Sequence, residues 1–350
     1  MPAYKDEHNN TWYVKFYYQN YEGQRKQKLK RGFALKREAE SFEREFLQNI
    51  SYQPTMSFRA FYKLFQKDTA PRLREHTLQT RGYIYKNRIA PTFDEMVLNA
   101  ITAKDIRQWQ NQLIEQGFSK SYITNCHKLL AAIFKHAVRF YGLGGNPCEQ
   151  AGAVNAVRAK QEMQFWTLDE YQKAIAAMDD IKARTAVTLL YWSGMRKGEL
   201  LALLWSDIDL ETGKLSITKS LQRLNGKNVV TEPKTAKSNR IILLPEPALK
   251  ALREYKSRFY APALSDSVFP WEKRFIEKGM DSACKASGVK RIRVHDLRHS
   301  HASLLIEKGF SPLLIAQRLG HESVSTTLNV YSHLWPNKEQ EMIAKLNALG

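Results

Sequence analysis

The sequence is poor in the features that mark several common protein classes. Its 350 residues hold three cysteines, Cys126, Cys148 and Cys284, far apart and odd in number. They form no disulfide framework, show no metal-ligand spacing and suit a reducing compartment. No run of about twenty apolar residues occurs, so a membrane-spanning helix is not expected. No signal peptide or lipidation motif is read, which makes the cytoplasm the expected location. Acidic residues are also scarce. Against 54 Lys and Arg there are 35 Asp and Glu, a formal net charge of +19 with a pI near 9.7. That excess points to a polyanionic partner, nucleic acid before a membrane surface. The nucleophile elbow of serine hydrolases is missing. His321-Glu322 lacks the second histidine of a metalloprotease motif.

What is present concentrates between Val294 and Tyr331. His295-Asp296-Leu297-Arg298-His299 opens the stretch, Leu319-Gly320-His321 follows, and Tyr331 closes it. Positions three and four apart share a helix face, so His295, Arg298 and His299 line one side of a helix starting near Asp296. Leu304, Leu305, Leu313, Leu314, Ile315 and Leu319 give apolar anchors at helical spacing, while Gly309 and Pro312 separate two helices. A guanidinium grips phosphate oxygens in pairs, an imidazole moves protons near neutral pH, and a phenol can be a covalent nucleophile. Together they can attack a phosphodiester. A zinc site built on His295, His299 and His301 is the rival reading. It places Arg298 beside the cation with only Asp296 to balance it, so His299 and His301 read as packing or phosphate contacts.

At these residues the chain resembles the tyrosine recombinases, the phage-type integrases. That family carries, in order, an Arg, a Lys, a His-x-x-Arg, a His or Trp, and a Tyr. Here these are Arg196 in Ser193-Gly194-Met195-Arg196, Lys234 in Pro233-Lys234-Thr235, His295 with Arg298, His321, and Tyr331. The resemblance implies that Arg196 and Arg298 hold a DNA phosphate and that Tyr331 forms a 3′-phosphotyrosine. It also implies that Lys234 protonates the leaving 5′ oxygen, in preference to Lys237. His295 is the candidate proton acceptor, His321 a donor to a phosphate oxygen, and Glu199 a carboxylate that orients the cations. Neither a nucleotide cofactor nor a metal is needed for such chemistry. The implied partners are double-stranded attachment-site DNA, a homotetramer on paired sites, and an excision factor or host DNA-bending protein. The implied function is integration and excision of a mobile element such as a prophage or conjugative transposon. Strand relaxation by a type IB topoisomerase and a catalytically silent DNA-binding protein are the alternatives.

The expected fold is α+β, mainly α, in three domains. Residues 1–52 alternate as strands and then form a helix, a small three-stranded sheet plus helix in which Lys26, Lys28 and Lys30 share a strand face as DNA-binding candidates. This layout looks like an arm-type DNA-binding domain. Residues 55–147 read as a four-helix bundle similar to a SAM-like core-binding domain. One of its helices is capped by Thr102 with Asp105, and another runs from Thr77 to a stop at Pro91. Residues 165–350 make a mostly helical catalytic domain with three antiparallel strands, Lys214–Leu224, Val229–Glu232 and Asn239–Leu244. Asn225-Gly226 marks a hairpin. Past Tyr331, Met342, Ile343, Leu346 and Leu349 form an apolar stripe expected to act between protomers.

Overall fold

The computed structural model describes residues 3–7, 9–19, 25–52, 56–154, 163–232, 238–270, 272, 274–332 and 347. The chain divides into two compact units, Met1–Ala159 and Lys160–Gly350. It is mainly helical, with small antiparallel sheets, as the sequence implies.

In the first unit, β1 (Tyr4–Asp6), β2 (Thr11–Gln19) and β3 (Arg25–Phe33) pair antiparallel in that order. The period-two pattern of β2 buries Val14 and Phe16 and leaves Tyr17 exposed. Helix α1 (Lys36–Tyr52) covers the buried face with Ala39, Phe42 and Phe46. A second, separate core forms among α2 (Phe58–Thr69), α3 (Glu75–Ile84), α4 (Ala90–Phe93), α5 (Ala103–Glu115), α6 (Lys120–Tyr141) and α7 (Pro147–Ala151). Ser57 caps α2, and Thr102 and Asp105 make the reciprocal capping box of α5. The helix expected to stop at Pro91 does not stop there. A π-helical turn, Tyr85–Ile89, leads directly into α4, so the chain stays helical to Phe93. A proline cannot donate to the preceding turn, and the wider π turn absorbs the misfit at its ring.

The second unit is built around α9 (Ile181–Ser193), buried on nearly every side. Helices α8 (Leu168–Ala176), α10 (Lys197–Leu201), α11 (Glu246–Lys256), α12 (Arg274–Ser287) and α13 (Asp296–Glu307) surround it. Helices α14 (Pro312–Leu319) and α15 (Val324–Tyr331) form a smaller cluster with α13 through Ala302, Ile306, Ile315, Leu319 and Tyr331. The three expected strands are, among the described residues, two short ladders. β4 (Lys214–Ile217) pairs with β7 (Arg240–Leu243), and β5 (Ser220–Leu224) pairs with β6 (Lys227–Thr231). The first expected strand breaks at Thr218-Lys219, where Lys219 turns aside to an ion pair with Asp207 at 2.9 Å. The Asn225-Gly226 hairpin stands as expected, with both residues at positive φ.

Candidate active site

Five helix ends make the site. Helix α9 stops at Gly194, whose φ of +65° is the left-handed cap that glycine favours. A side chain there is also excluded by space, since a Cβ would lie 2.6 Å from the His301 ring and 2.7 Å from Leu319. The chain leaves this cap directly into Arg196, which starts α10 with its side chain 40% exposed. Helix α14 ends the same way at Gly320, delivering His321. His295 is the cap residue before α13, and α15 ends at Tyr331.

Arg298 lies between two of these ends. Its two terminal nitrogens donate to Gly194 O at 2.8 Å and Leu319 O at 2.7 Å. Carbonyls at a helix C-terminus carry partial negative charge, which is how this buried cation is held without a carboxylate of its own. Burial pulls its pKa down to about 9, and the nearby Arg196 adds to that. Arg196 is fixed differently. Its backbone N–H and guanidinium donate to the two oxygens of Glu199, at 2.8 and 2.7 Å. Glu199 is 2% exposed and also receives Arg240 at 2.9 Å. Burial alone would raise its pKa, but the Arg240 hydrogen bond and both neighbouring charges outweigh it and keep the carboxylate ionised.

Three contributors had no place in the sequence reading. Arg240 donates to Arg318 O at 2.9 Å. Arg318 in turn donates to Trp192 O at 3.0 Å and to His301 Nε2 at 2.9 Å. Thr327 is fully buried and meets His321 Nδ1 at 2.7 Å, which fixes that ring. Arg318 and Thr327 each carried a faint signal. Arg318 sits three positions after buried Ile315 on an otherwise apolar helix face, and Thr327 sits four before Tyr331.

Tyr331 is 1% exposed, and its hydroxyl meets His299 Nδ1 at 2.7 Å. Burial raises the phenol to about 12 despite the opposing pull of Arg298. His295 is exposed at the start of α13, with its ring edge-on to His299 at 5.4 Å. Burial holds His299 and His321 at about 4 and His301 at about 3, so all three rings are neutral near pH 7. Arg196, Glu199, Arg298, His299 and Tyr331 are therefore linked through α9, α10, α13, α14 and α15. Lys234 and Lys237 lie outside the described residues, as does the apolar stripe from Met342 to Leu349. Among the described residues no group of three His, Cys, Asp or Glu is placed to hold a metal ion, and no helix is long and apolar enough to cross a membrane.

The sheet of the first unit holds the other candidate residues. Lys26, Lys28 and Lys30 do share a face, but it is the face covered by α1, opposite Tyr18, Phe16 and Val14. Lys28 sits over the Phe46 ring at 5.2 Å and Lys30 over Phe42 at 4.4 Å. The open face carries different cations. Arg25 stacks on Tyr17 at 4.3 Å and Arg31 on Tyr13 at 5.4 Å, with Lys15 paired to Leu29 between them.

A basic sheet module, a helical bundle and a unit that gathers guanidiniums, imidazoles and a phenol define a class of DNA-acting enzyme. Comparison with known proteins gives the family. Residues 164–338 match the model of the phage integrase family, residues 2–50 an arm DNA-binding domain, and residues 57–114 a phage integrase N-terminal SAM-like domain. The ICEBs1 integrase of Bacillus subtilis (strain 168) is 33% identical over 90% of this chain and 89% of its own length. The fold is that of the Tn1549 transposon integrase in complex with a circular intermediate DNA, at a TM-score of 0.69 and 19% identity over 84% of this chain and 100% of that one. A lambda integrase dimer bound to a core site matches at a TM-score of 0.61 and 21% identity over 96% and 95%. The chain belongs to the phage integrase family and is a tyrosine recombinase, an enzyme of site-specific DNA recombination.

Proposed function

We propose that this recombinase integrates and excises a mobile element, cutting DNA through a 3′-phosphotyrosine on Tyr331. The observation that carries the mechanism is Arg298, buried between two helix C-termini with two of its donors fixed on carbonyls. The guanidinium carries three further N–H donors, which the proposal assigns to a phosphate. Arg196, oriented by Glu199, supplies the second guanidinium. Two fixed cations stabilise the charge that grows on the non-bridging oxygens, and donors of this kind are worth roughly 2.7–4 kcal/mol each. Tyr331 Oη attacks phosphorus in line, the P–O5′ bond breaks, and its electron pair leaves on the 5′ oxygen. Lys234 protonates that oxygen. His321, held at Nδ1 by Thr327, has Nε2 left to donate to a phosphate oxygen, and His295 stands at the mouth beside His299.

The division into an arm-type domain (1–52), a core-binding domain (55–147) and a catalytic domain (165–350) belongs to the same reading. So do attachment-site DNA, a homotetramer on paired sites, an excision factor or host bending protein, and a cytoplasmic setting. In the arm-type domain the open face around Tyr13, Tyr17, Arg25 and Arg31 is the better DNA surface. Lys26, Lys28 and Lys30 flank it from the covered side.

The test is covalent trapping on a nicked suicide substrate. The wild-type protein should form a protein–DNA adduct in excess EDTA, because the arginine pair does the charge work. Tyr331→Phe should form none while binding the same DNA within about threefold, since phosphate contacts elsewhere carry affinity. Adduct formation by the Phe variant, or a divalent-ion requirement, contradicts the proposal.

A further inference from the structure

The contact between His299 and Tyr331 carries a role beyond those above. Resting on the phosphotyrosine reading, we propose that His299 is a further catalytic residue, the immediate acceptor of the Tyr331 proton.

The geometry comes first. Tyr331 Oη and His299 Nδ1 are 2.7 Å apart, inside the range needed for direct proton transfer. His299 is the hydrogen-bond partner of that hydroxyl among the described residues, and the two rings meet edge-on at 5.6 Å. His295 has no hydrogen bond to Tyr331 and touches His299 instead. The spacing explains the division of labour. His295 and His299 are four apart on α13, so they stack along one face, with the inner ring on the phenol and the outer ring in solvent.

The protonation states fit. A ring held neutral at physiological pH can accept at Nδ1 only with its proton on Nε2, and then Tyr331 is the donor. Around His299, burial and the charges of His295, Arg298 and Arg293 disfavour protonation, while Asp296 favours it. A DNA phosphate seated on Arg196 and Arg298 brings negative charge against those cations and raises the affinity of His299 for a proton. Bonding of Oη to phosphorus meanwhile makes the phenol proton far more acidic. The step balances: Oη–P forms, P–O5′ breaks, the phenol proton goes to His299 Nδ1, and the 5′ oxygen takes its proton from Lys234. On resealing, the 5′ hydroxyl attacks phosphorus and His299 returns its proton to Tyr331.

The experiment is single-turnover cleavage of a suicide substrate between pH 6 and 9, with His299→Ala and His299→Asn. Asparagine can still hydrogen-bond the hydroxyl, so it preserves docking of α15 without accepting a proton. Both variants should slow cleavage by about 10²–10⁴-fold at pH 7. The ratio of wild-type to variant rate should shrink by about tenfold per pH unit as hydroxide replaces the lost base. A 5′-bridging phosphorothiolate should not rescue either variant, because the leaving group is not what they lack. Wild-type cleavage by His299→Asn, or a deficit independent of pH, reduces His299 to a docking contact and overturns the proposal. Adducts formed by Tyr331→Phe would instead overturn the phosphotyrosine reading on which it rests.

Discussion

Cations on the open face of the N-terminal sheet and cations around the motif helix are the same chemical groups in opposite surroundings. Arg25 and Arg31 lie over tyrosine rings on an exposed face. Arg298 and Arg240 are buried, and their donors meet carbonyls at two helix ends, the carboxylate of Glu199 and the carbonyl of Arg318. The exposed set keeps its hydration and acts through summed charge, which salt screens. The buried set gave up hydration on folding and is already oriented, the property needed of a group that stabilises charge appearing only during reaction. On the proposed mechanism, position in the fold, more than residue type, divides the arginines that bind DNA from those that work on it.

The largest expected effect breaks that contrast at its centre. Arg298→Lys keeps the charge but cannot bridge Gly194 O and Leu319 O with a planar fork. Single-turnover cleavage should fall by about 10³-fold or more, with DNA affinity changed by less than about threefold. The buried carbonyl left unpaired should also cost roughly 1–3 kcal/mol of stability. A loss of binding equal to the loss of cleavage would mean that Arg298 acts like a surface cation.

A smaller effect concerns acid. His299, His301 and His321 all have folded pKa values below their ordinary 6.5, at about 4, 3 and 4. Folding thus favours the neutral ring, and the unfolded chain binds more protons below pH 6.5. Stability should be full above that pH and decline as pH falls towards 4, by about 1.4 kcal/mol per unit for buried His301. The partly exposed His299 and His321 should contribute less. Urea unfolding at pH 7, 6 and 5 measures this, and an unchanged midpoint would contradict the burial of these rings.

The smallest effect lies in the arm-type domain. Arg25→Gln and Arg31→Gln should each flatten the log–log salt dependence of binding to attachment-site DNA by about 0.9 if each arginine neutralises one phosphate. Cleavage of a core site should be unchanged. Equal or larger changes from Lys28→Gln and Lys30→Gln would return the DNA surface to the α1-covered side.

Much of this was legible because it is local. The start of α13 at Asp296, the cap of α5 at Thr102 and the hairpin at Asn225-Gly226 are set by residues within four positions. The face of Lys26, Lys28 and Lys30 was legible as a face, but its covering by α1 depends on how strand and helix meet. Arg240 and Arg318 were hidden for a similar reason. The partners described above lie 17 to 126 positions away, and a lone arginine in a strand or helix carries no local mark of them. Pro91 misled because the local rule is right for an α-helix and the chain adopts a π turn instead. The motif gave the order of His295, Arg298 and Tyr331, while the choice of His299 over His295 as neighbour of the phenol needed three dimensions.

The most direct measurement is to trap the wild-type adduct, digest protein and DNA, and locate the modification by mass spectrometry. The nucleotide should be on the peptide that contains Tyr331, joined through its 3′ phosphate, with a 5′ hydroxyl on the released strand. A nucleotide on any other residue, or a 5′ linkage, would contradict the placement of nucleophile and arginines in one site.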